Sequence, residues 1–371
     1  MRALIVMPSA HLHGGAEEAL IHLLRNREEA KLSSILVVLL EEGELKKVFE
    51  DTGTRVEVVD SGRIREPWKI LSAILKIRRL ITEHRSDLVI GWMTKAHIYG
   101  GPAALMAKVP AIYFQMGLPD NGPVDRLSRL VPAAGALTCS DFAAKLQQDL
   151  IRPRVIGVPL AADFTRFSEA AKQSPAEIRS RLGLDVNKPI VGIVGRMQHW
   201  KGMHVFVDAM ARVFKEVPDC EAVIVGGKFK LEPEYESWLR GKVKHLGLEQ
   251  KIRMVGMQRN VPEWMQAMDV FVHASEREPF GIVVIEAMSL GKPVVATRPG
   301  GPDEIIRDDV DGQLVTWNKP DELAEAILKF LRDPEWARSV GERAQQRSQE
   351  YTMEKYAQRL GNALRELLKK G

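Results

Sequence analysis

Residues 190–210 read IVGIVGRMQHWKGMHVFVDAM and contain two local patterns. The opening residues are β-branched apart from glycine, which favours a strand. After a short polar loop, apolar residues return at three- and four-residue spacing, which is typical of an amphipathic helix. A strand, a glycine-containing loop and a helix form the repeating part of a βαβ unit. This stretch therefore predicts a parallel sheet with helices on its faces.

The same order recurs along the chain. Residues 3–24, ALIVMPSAHLHGGAEEALIHLL, again predict a strand, a glycine-containing loop and a helix. Further strand candidates, separated by helix-length segments, are residues 33–40, 55–60, 87–93, 111–116, 136–140, 221–227, 251–256, 269–275 and 292–298. Strands alternating with helices favour a doubly wound sheet. Because the rhythm restarts after about residue 188, we predict an α/β protein with two Rossmann-like domains.

The length of 371 residues suits two domains, at roughly 100–200 residues each. Apolar runs are few from about residue 160 to 188, which indicates a boundary there. We predict an N-terminal domain over 1–165 and a C-terminal domain over 166–347. Residues 348–371 predict a final helix whose apolar positions include Tyr356, Leu360, Leu364 and Leu367. The pattern leaves open whether that helix packs across a domain or is an ordinary surface helix.

Composition narrows the class of protein. The chain is 45% hydrophobic and 27% charged, which excludes disorder, collagen and coiled coil as the main architecture. A net charge of +4 is too weak to indicate a nucleic-acid partner. Cys139 and Cys220 form neither a disulfide framework nor a zinc motif. The longest apolar run, ILVVLL, is far shorter than a membrane span, so we expect a soluble, cytoplasmic protein.

Two loops after predicted strands carry groups suited to phosphate. Gly14 and Gly15 directly precede a helix, whose free N–H groups could meet an anion. An ordinary βα turn is the alternative. Arg196 and Lys201 follow the strand that begins at residue 190, at the strand end where open α/β sheets bind ligands. They could clamp a diphosphate, and two solvated cations are the alternative.

Residues 276–297, EREPFGIVVIEAMSLGKPVVAT, contain two further carboxylates of interest, Glu278 and Glu286. The β-branched run 282–285 alone favours a strand. The following residues favour a helix that ends with Gly291 as its left-handed cap, so we predict a helix from about 281 to 290. Paired carboxylates could hydrolyse a glycoside or accept hydrogen bonds from sugar hydroxyls. A helix-dipole charge and a solvated helix face are the alternatives.

Two turns complete the set of motifs. Gly300 and Gly301 precede Pro302, which predicts a turn with proline at the first position of a helix. Asp309 and Asp311 match the D-x-D pattern of metal-dependent glycosyltransferases. Their setting, RDDVDGQLV, is instead typical of a turn before a short strand, and we predict a turn.

In this order, the motifs resemble the GT-B-fold retaining glycosyltransferases of group 1, which are related in fold to bacterial glycogen synthase. The family signature reads approximately E-P-F-G-x-x-x-x-E-A-M-x-x-G-x-P-V-V-A-T, followed by G-G-x-x-E. The chain matches it at residues 278–281, 286–288, 291, 293–297 and 300–304. The resemblance covers essentially the whole chain, strongly over 188–316 and loosely before it.

The resemblance implies a nucleotide diphospho-sugar donor in a cleft between the two domains, mostly on the second. The positions it implicates in donor binding are Gly14, Gly15, Arg196, Lys201, Arg253, Val255, Glu278, Phe280, Gly281, Ile282, Val283 and Glu286. Arg196 and Lys201 would hold the diphosphate. Glu278 would hold hexose hydroxyls and Glu286 the ribose. The backbone from Arg253 to Val255 would hold the base, while amide groups of the remaining positions approach the phosphates or the sugar.

The same resemblance implies a reaction that retains the anomeric configuration, in which the leaving phosphate helps to accept the acceptor's proton. UDP-glucose is the donor favoured by family frequency, with GDP-mannose behind it. The acceptor would be a glycan, a lipid-linked or a small-molecule hydroxyl, as in polysaccharide biosynthesis. No metal or other cofactor is expected, because cations and helix N-termini can neutralise the diphosphate. The final helix would cross back to the N-terminal domain.

The chain departs from the family at one catalytic position. Many members carry a histidine after a strand of the first domain, where this chain has Met116 beside Gln115. Methionine cannot donate a hydrogen bond to a sugar hydroxyl. His97 is the nearest substitute and joins Glu278, Lys201 and Arg196 as a catalytic candidate, although a lone histidine is more often structural. Residues 159–163, PLAAD, also replace the family's P-N-G-V-D.

Residues 63–85 are basic, with seven cations and two carboxylates. Apolar positions recur there at helical spacing: Trp68, Leu71, Ile74, Leu75, Ile77 and Ile81. A basic amphipathic helix can lie on an anionic membrane surface, which would suit a lipid-linked acceptor at the inner face of the membrane. An ordinary Rossmann-type helix with a solvated basic side is the alternative.

The sequence is compatible with two other functions. One is a sugar-nucleotide epimerase on the same fold, which would need a dense set of acid and base groups around the sugar. The other is a subunit that binds a nucleotide-sugar without turnover, which the methionine at position 116 favours.

Overall fold

The computed structural model describes residues 1–11, 14–62, 66–120 and 122–369. The chain divides into two compact units, one formed by Met1–Ala161 with Tyr351–Gly371 and the other by Ala162–Glu350. The predicted boundaries at 165 and 347 therefore lie within four residues of the boundaries between the units. Within the described part of the chain, no helix is both long and apolar enough to cross a membrane.

The first unit is built on a seven-stranded parallel sheet of order β3-β2-β1-β4-β5-β6-β7. Its strands are β1 Arg2–Met7, β2 Ser34–Leu39, β3 Arg55–Val58, β4 Leu88–Trp92, β5 Ala111–Gln115, β6 Gly135–Thr138 and β7 Val155–Gly157. Its helices are α1 Gly15–Arg25, α2 Lys46–Glu50, α3 Pro67–His84, α4 Thr94–Ala107, α5 Pro123–Ser128, α6 Asp141–Gln148 and α16 Met353–Leu368. The central strands are buried because helices cover both faces of the sheet.

The second unit has a six-stranded parallel sheet of order β10-β9-β8-β11-β12-β13. Its strands are β8 Ile190–Val194, β9 Glu221–Val225, β10 Ile252–Gly256, β11 Val270–His273, β12 Val294–Arg298 and β13 Gln313–Thr316. Its helices are α7 Thr165–Ala171, α8 Pro175–Arg181, α9 Met203–Glu216, α10 Tyr235–His245, α11 Val261–Ala267, α12 Ile282–Ser289, α13 Pro302–Ile305, α14 Pro320–Arg332 and α15 Pro334–Ser348. A short 3-10 turn, His199–Lys201, precedes α9, and another, Gln349–Tyr351, follows α15.

The strand order confirms the predicted α/β class with two doubly wound sheets. In each sheet the direction of winding reverses beside the first strand, between β1 and β4 in one unit and between β8 and β11 in the other. Ligands of open α/β sheets bind at such a switch point, at the carboxyl ends of the strands. Strand β7 was missed, because a three-residue, half-buried strand carries little periodic signal.

The ambiguous run 282–285 lies in helix α12, as predicted. Gly281 precedes the helix with φ of 107°, and Gly291 follows it with φ of 68°. Both values lie in the left-handed region that favours glycine, so these two residues set the limits of the helix. The predicted turn at Gly301 with Pro302 at the start of α13 is also confirmed.

The final helix, α16, lies in the first unit, where it contacts α1 and β6. Tyr356, Leu360 and Leu364 are buried there. Gly361 approaches the turn after α1 so closely that an added Cβ would lie 2.2 Å from the carbonyl oxygen of Ala30. The helix is thus part of the core of that unit and not a loosely attached tail.

Candidate functional site

The loops after β8, β11 and β12 meet at one edge of the second sheet, beside its switch point. Arg196 follows β8, Lys201 ends the 3-10 turn, and Glu278 lies between β11 and α12. The structure therefore brings together the cations and the acidic loop that the sequence indicates. Parallel strands make this convergence obligatory, since their carboxyl ends share one edge.

A close backbone contact fixes the turn that carries Lys201. Gly202 has φ of 67°, and a Cβ added there would lie 1.8 Å from the carbonyl oxygen of Ala274. The N–H of Glu276 donates to the carbonyl of Trp200 at 2.7 Å. The Lys201 turn is thus bound directly to the loop that leads to Glu278, and a side chain at position 202 would force the two apart.

The two carboxylate oxygens of Glu278 have different environments. Oε2 accepts from Lys201 Nζ at 2.6 Å, from His273 Nε2 at 3.0 Å and from Ser275 Oγ at 3.2 Å. Oε1 has no hydrogen-bond partner among the described residues. One oxygen is therefore saturated by protein donors, while the other can accept hydrogen bonds from a ligand.

The charge state of Glu278 follows from those contacts. Burial alone would raise the pKa of the carboxyl group, but the Lys201 ammonium and the hydrogen bond from His273 outweigh it. The pKa of Glu278 consequently lies well below its usual range. At neutral pH this group is an ionised hydrogen-bond acceptor, and it has no proton to give to a leaving group.

His273 and Ser275 are the site residues that the sequence analysis missed. Because a carboxylate oxygen only accepts, the hydrogen-bond network assigns the histidine proton to Nε2, and Nδ1 is buried without a partner. Thr297 Oγ1 donates to the Ser275 carbonyl at 2.5 Å. The signal that could have found both residues is their position at the carboxyl end of the predicted strand 269–275.

Helix α12 presents its N-terminus to the same loop. Glu278 lies four residues before Ile282, the first residue of the helix, and Phe280, which lies between them, is buried. Ile282 and Val283, whose amides are predicted to contact the donor, belong to the first turn of the helix. The N–H groups of that turn carry the positive end of the helix dipole. Glu286 is half-buried one turn further along α12.

Arg196 and the backbone predicted to hold the base differ in how near they lie to the ligand edge of the second sheet. The Arg196 guanidinium is exposed and lies 5.1 Å from the Phe229 ring centre. Val255 is near the carboxyl end of β10, at the ligand edge. Arg253 is nearer the amino end, and its guanidinium donates to the carbonyls of Leu182 and Gly183. Of the backbone predicted to hold the base, the part at Val255 is thus nearer to the site.

Gly14, Gly15 and His97 lie in the first unit. Gly14 precedes α1, and its N–H donates to Glu17 Oε2 at 3.0 Å, so the helix N-terminus follows β1 at the switch point of that sheet. His97 is only 1% exposed, and its ring stacks on Tyr113 at 4.6 Å. Burial lowers the pKa of His97 to about 4. This placement favours the structural role that a lone histidine usually has.

The surroundings of Met116 contain other polar groups. Gln115 Oε1 accepts from Tyr113 at 2.5 Å and from Thr94 at 2.9 Å at the end of β5. Met116 itself is half-buried. The side chain that precedes the methionine is therefore engaged within the unit.

The D-x-D residues form a turn, as predicted. Asp311 is buried and accepts from the Arg307 backbone N–H and from Arg307 Nε, both at 2.6 Å. Asp309 has φ of 61° and accepts from Lys329 at 2.5 Å. Over residues 1–11, 14–62, 66–120 and 122–369, no group of three His, Cys, Asp or Glu side chains is placed to hold a metal ion.

Comparison with known proteins places this geometry in a family. The model of the family described as Glycosyl transferases group 1 matches residues 175–347, which carry the Lys201–Glu278 cluster. The D-inositol 3-phosphate glycosyltransferase of Corynebacterium urealyticum is 31% identical over 225 residues, covering 59% of this chain and 53% of that protein. The chain thus spans about half the length of that relative.

Two further proteins match over nearly the whole chain. The lipopolysaccharide core biosynthesis glycosyltransferase LpsE of Rhizobium meliloti is 25% identical and covers 91% of this chain and 92% of its own. The crystal structure of Anabaena HepE in complex with UDP has a TM-score of 0.85 and 26% identity, covering 99% of this chain and 100% of that one. Residues 175–347 therefore belong to the group 1 glycosyltransferases, and the chain has the GT-B fold, with its two Rossmann-like sheets.

Proposed function

We propose that the protein transfers a hexose from a nucleotide diphospho-sugar to an acceptor hydroxyl with retention of configuration. The observation that carries the proposal is the Glu278 carboxylate, which has one oxygen saturated by Lys201, His273 and Ser275 and the other available. An ionised acceptor of this kind suits sugar hydroxyls. It does not suit the acid that a glycoside hydrolase needs, because its pKa is lowered.

The proposed donor is UDP-glucose, with GDP-mannose as the next candidate. The support is that Anabaena HepE, at 26% identity, has been crystallised in complex with UDP-glucose. In this chain we assign the diphosphate to Arg196, Lys201 and the N–H groups at Ile282 and Val283. We assign the ribose to Glu286, the base to the backbone from Arg253 to Val255, and a phosphate contact to the amides of Gly14 and Gly15.

In the proposed step, the bond between the anomeric carbon and the diphosphate oxygen breaks as the acceptor oxygen attacks from the same face. The acceptor's proton passes to the departing phosphate oxygen. Negative charge grows on the diphosphate, where the cations and the α12 N-terminus are already oriented, so little reorganisation is needed. We propose that these groups perform the neutralisation without a metal ion, which transfer in the presence of EDTA would test.

We propose a cytoplasmic location with an acceptor that is a glycan, a lipid-linked hydroxyl or a small molecule, in polysaccharide biosynthesis. The support is that LpsE, which matches over most of its length, acts in lipopolysaccharide core biosynthesis.

The test combines calorimetry with product analysis. UDP-glucose and GDP-mannose are titrated into the wild type and into Glu278→Gln, with Glu249→Gln as the control at an exposed carboxylate near the amino end of β10. The proposal expects one donor to bind, glucosyl or mannosyl transfer with an axial anomeric product by NMR, and a loss of about 10²–10³ in rate for Glu278→Gln only. Undiminished turnover in that variant would overturn the assignment.

Donor binding without turnover is the second candidate function, and Met116 is the residue that favours it. A methionine cannot donate to the sugar. Tight binding of a donor with no product on glycan, lipid-linked or small-molecule acceptors would support this candidate. Recovery of turnover in Met116→His would then identify the missing hydrogen-bond donor at position 116 as the cause of the lost activity.

A further inference from the structure

Helix α3 of the first unit has apolar side chains on two opposite sides. Ala73, Ile77 and Ile81 are buried in the core beneath the helix. Trp68, Leu71 and Leu75 are 77%, 56% and 43% exposed. At about 100° per residue these three side chains fall within about 60° of one another, on the side away from the core. The apolar stripe seen in the sequence is therefore two stripes, and only one of them is used in folding.

The exposed stripe is surrounded by an excess of cations. On the described part of the segment these are Lys69, Lys76, Arg78, Arg79 and Arg85. The two carboxylates, Glu66 and Glu83, are paired with Lys69 at 2.9 Å and Arg79 at 2.6 Å. Among the described residues Lys76, Arg78 and Arg85 have no ion pair. The predicted contribution of Arg63 and Arg65 lies outside the described residues.

We propose that the outer side of α3, defined by Trp68, Leu71, Leu75, Lys76 and Arg78, docks on an anionic lipid surface. The apolar side chains would enter the boundary between headgroups and acyl chains, where tryptophan is favoured. The unpaired cations would contact anionic headgroups. The proposal concerns a different surface from the donor site, and it would bring a lipid-linked acceptor to the same membrane.

Charge and area favour lipid over a protein partner. Three partly exposed side chains offer about a few hundred Å², less than the roughly 800 Å² per partner of a stable protein interface. A bilayer needs no such area, because insertion of a few apolar groups combines with attraction between the cations and anionic lipids. The cations beside the stripe match the anionic lipid surface in charge.

The experiment is co-sedimentation of the full-length protein with vesicles of phosphatidylglycerol and phosphatidylcholine mixed, or of phosphatidylcholine alone. The wild type is expected to sediment with the anionic vesicles only. Lys76→Glu/Arg78→Glu should weaken binding by at least about 25-fold, at about fivefold per cation removed. Trp68→Ser/Leu75→Ser should weaken it by at least about tenfold.

Matched controls change similar residues on the second unit. Leu246→Ser removes a leucine that is 40% exposed, and Lys215→Glu/Lys244→Glu reverses two exposed cations. Both should sediment like the wild type.

Calorimetric donor binding measured on the α3 variants separates this proposal from the donor chemistry, because the affinity for the sugar donor should be unchanged in them. Equal binding to both vesicle types, no binding to either, or full binding by either α3 variant would overturn the proposal. A dimer that Trp68→Ser/Leu75→Ser dissolves would assign the stripe to a second copy instead.

Discussion

At the scale of single residues, the chemistry of the site depends on which atoms of Glu278 are occupied. Lys201, His273 and Ser275 all act on Oε2, so the carboxylate is held in one orientation and Oε1 remains for a ligand. Lys201 is engaged with Glu278, which leaves two of its three ammonium protons for a phosphate. Lys201 can thus link the carboxylate that we assign to the sugar with the diphosphate.

The strength of the Lys201–Glu278 pair is predicted to appear in a double-mutant cycle. Both side chains are largely buried, so Lys201→Met leaves a buried carboxylate without its cation and should cost about 3–5 kcal/mol of unfolding free energy. In the Glu278→Gln background the same change should cost about 1–3 kcal/mol less, because no charge is left unpaired. Urea unfolding of the four proteins at pH 7.5 measures this. Strictly additive losses would show that the pair is not coupled.

His273 is predicted to act as a positioning residue through Glu278. Its Nε2–H stabilises the ionised carboxylate, so His273→Phe should raise the pKa of Glu278 and move the acid-side loss of turnover to higher pH. The loss of a hydrogen bond to a charged group corresponds to about a 10–100-fold lower kcat/KM. His273→Gln keeps an N–H donor and should recover part of both effects. An identical pH profile in wild type and His273→Phe would contradict this role.

His97 is predicted to make the first unit less stable in acid. Burial lowers the pKa of His97 to about 4, whereas a histidine in an unfolded chain titrates near 6.5. The unfolded state therefore binds a proton first as the pH falls. The free energy of unfolding should decrease from pH 6.5 down to about 4, by about 3 kcal/mol in all.

His97→Phe retains a ring against Tyr113 and should remove the part of that slope that His97 causes. The part from His204, whose pKa burial also lowers to about 4, should remain. The measurement is the midpoint of urea unfolding at several pH values between 4 and 7.5. His245→Gln, a change at an exposed histidine of α10, is the control and should keep the slope. NMR titration of the His97 ring provides an independent check, because a pKa near 6.5 in the folded protein would refute the explanation.

At the scale of elements, the sequence predicts the succession of strands and helices well. It predicts short elements, and elements that are buried on all sides, less well. Alternation of strands and helices predicts both sheets, because a parallel strand is buried on both faces and reads as a continuous apolar run. Periodicity does not distinguish a buried helix from a buried strand, so segment 282–285 could be assigned to a helix only because Gly291 is a typical helix cap. The sequence pattern does not predict the whole site, because only the strand order shows that His273 lies beside the loop of Lys201.

The turn before α9 is predicted to depend on glycine for two separable reasons. Gly202→Ala meets the strain of φ near 67° and a clash with the Ala274 carbonyl. Gly247 has φ of 66° and nothing within 4 Å of an added Cβ, so Gly247→Ala reports the strain alone. That control should cost about 1–2 kcal/mol of unfolding free energy.

Gly202→Ala should cost clearly more than Gly247→Ala, and it should also weaken donor binding, because the clash separates the Lys201 turn from the Glu278 loop. Thermal unfolding and calorimetry measure the two effects. Equal stability losses in the two variants, with donor binding intact, would show that the turn tolerates the added methyl group.

At the scale of the whole molecule, the first unit is closed by the two ends of the chain. The position of α16 could not be predicted from its own pattern, because an amphipathic helix shows that it packs but not against what. The structure answers this with a backbone contact: Gly361 lies against Ala30, and Arg365 donates to the Ala30 carbonyl at 3.1 Å. A residue distant in sequence is thereby required to be small.

Gly361→Ala is therefore predicted to destabilise the protein, against the usual preference of helices for alanine over glycine. The added Cβ would lie 2.2 Å from the Ala30 carbonyl oxygen, so α16 must move away from the turn after α1. We expect a cost of about 1–3 kcal/mol, as for other overpacked sites. Gly241→Ala, at an exposed position of helix α10 with nothing within 4 Å of an added Cβ, should instead stabilise by up to about 1 kcal/mol. Hydrogen exchange should show lost protection in α1 and β6, which α16 contacts, for Gly361→Ala, and a variant as stable as Gly241→Ala would mean that α16 does not close the unit.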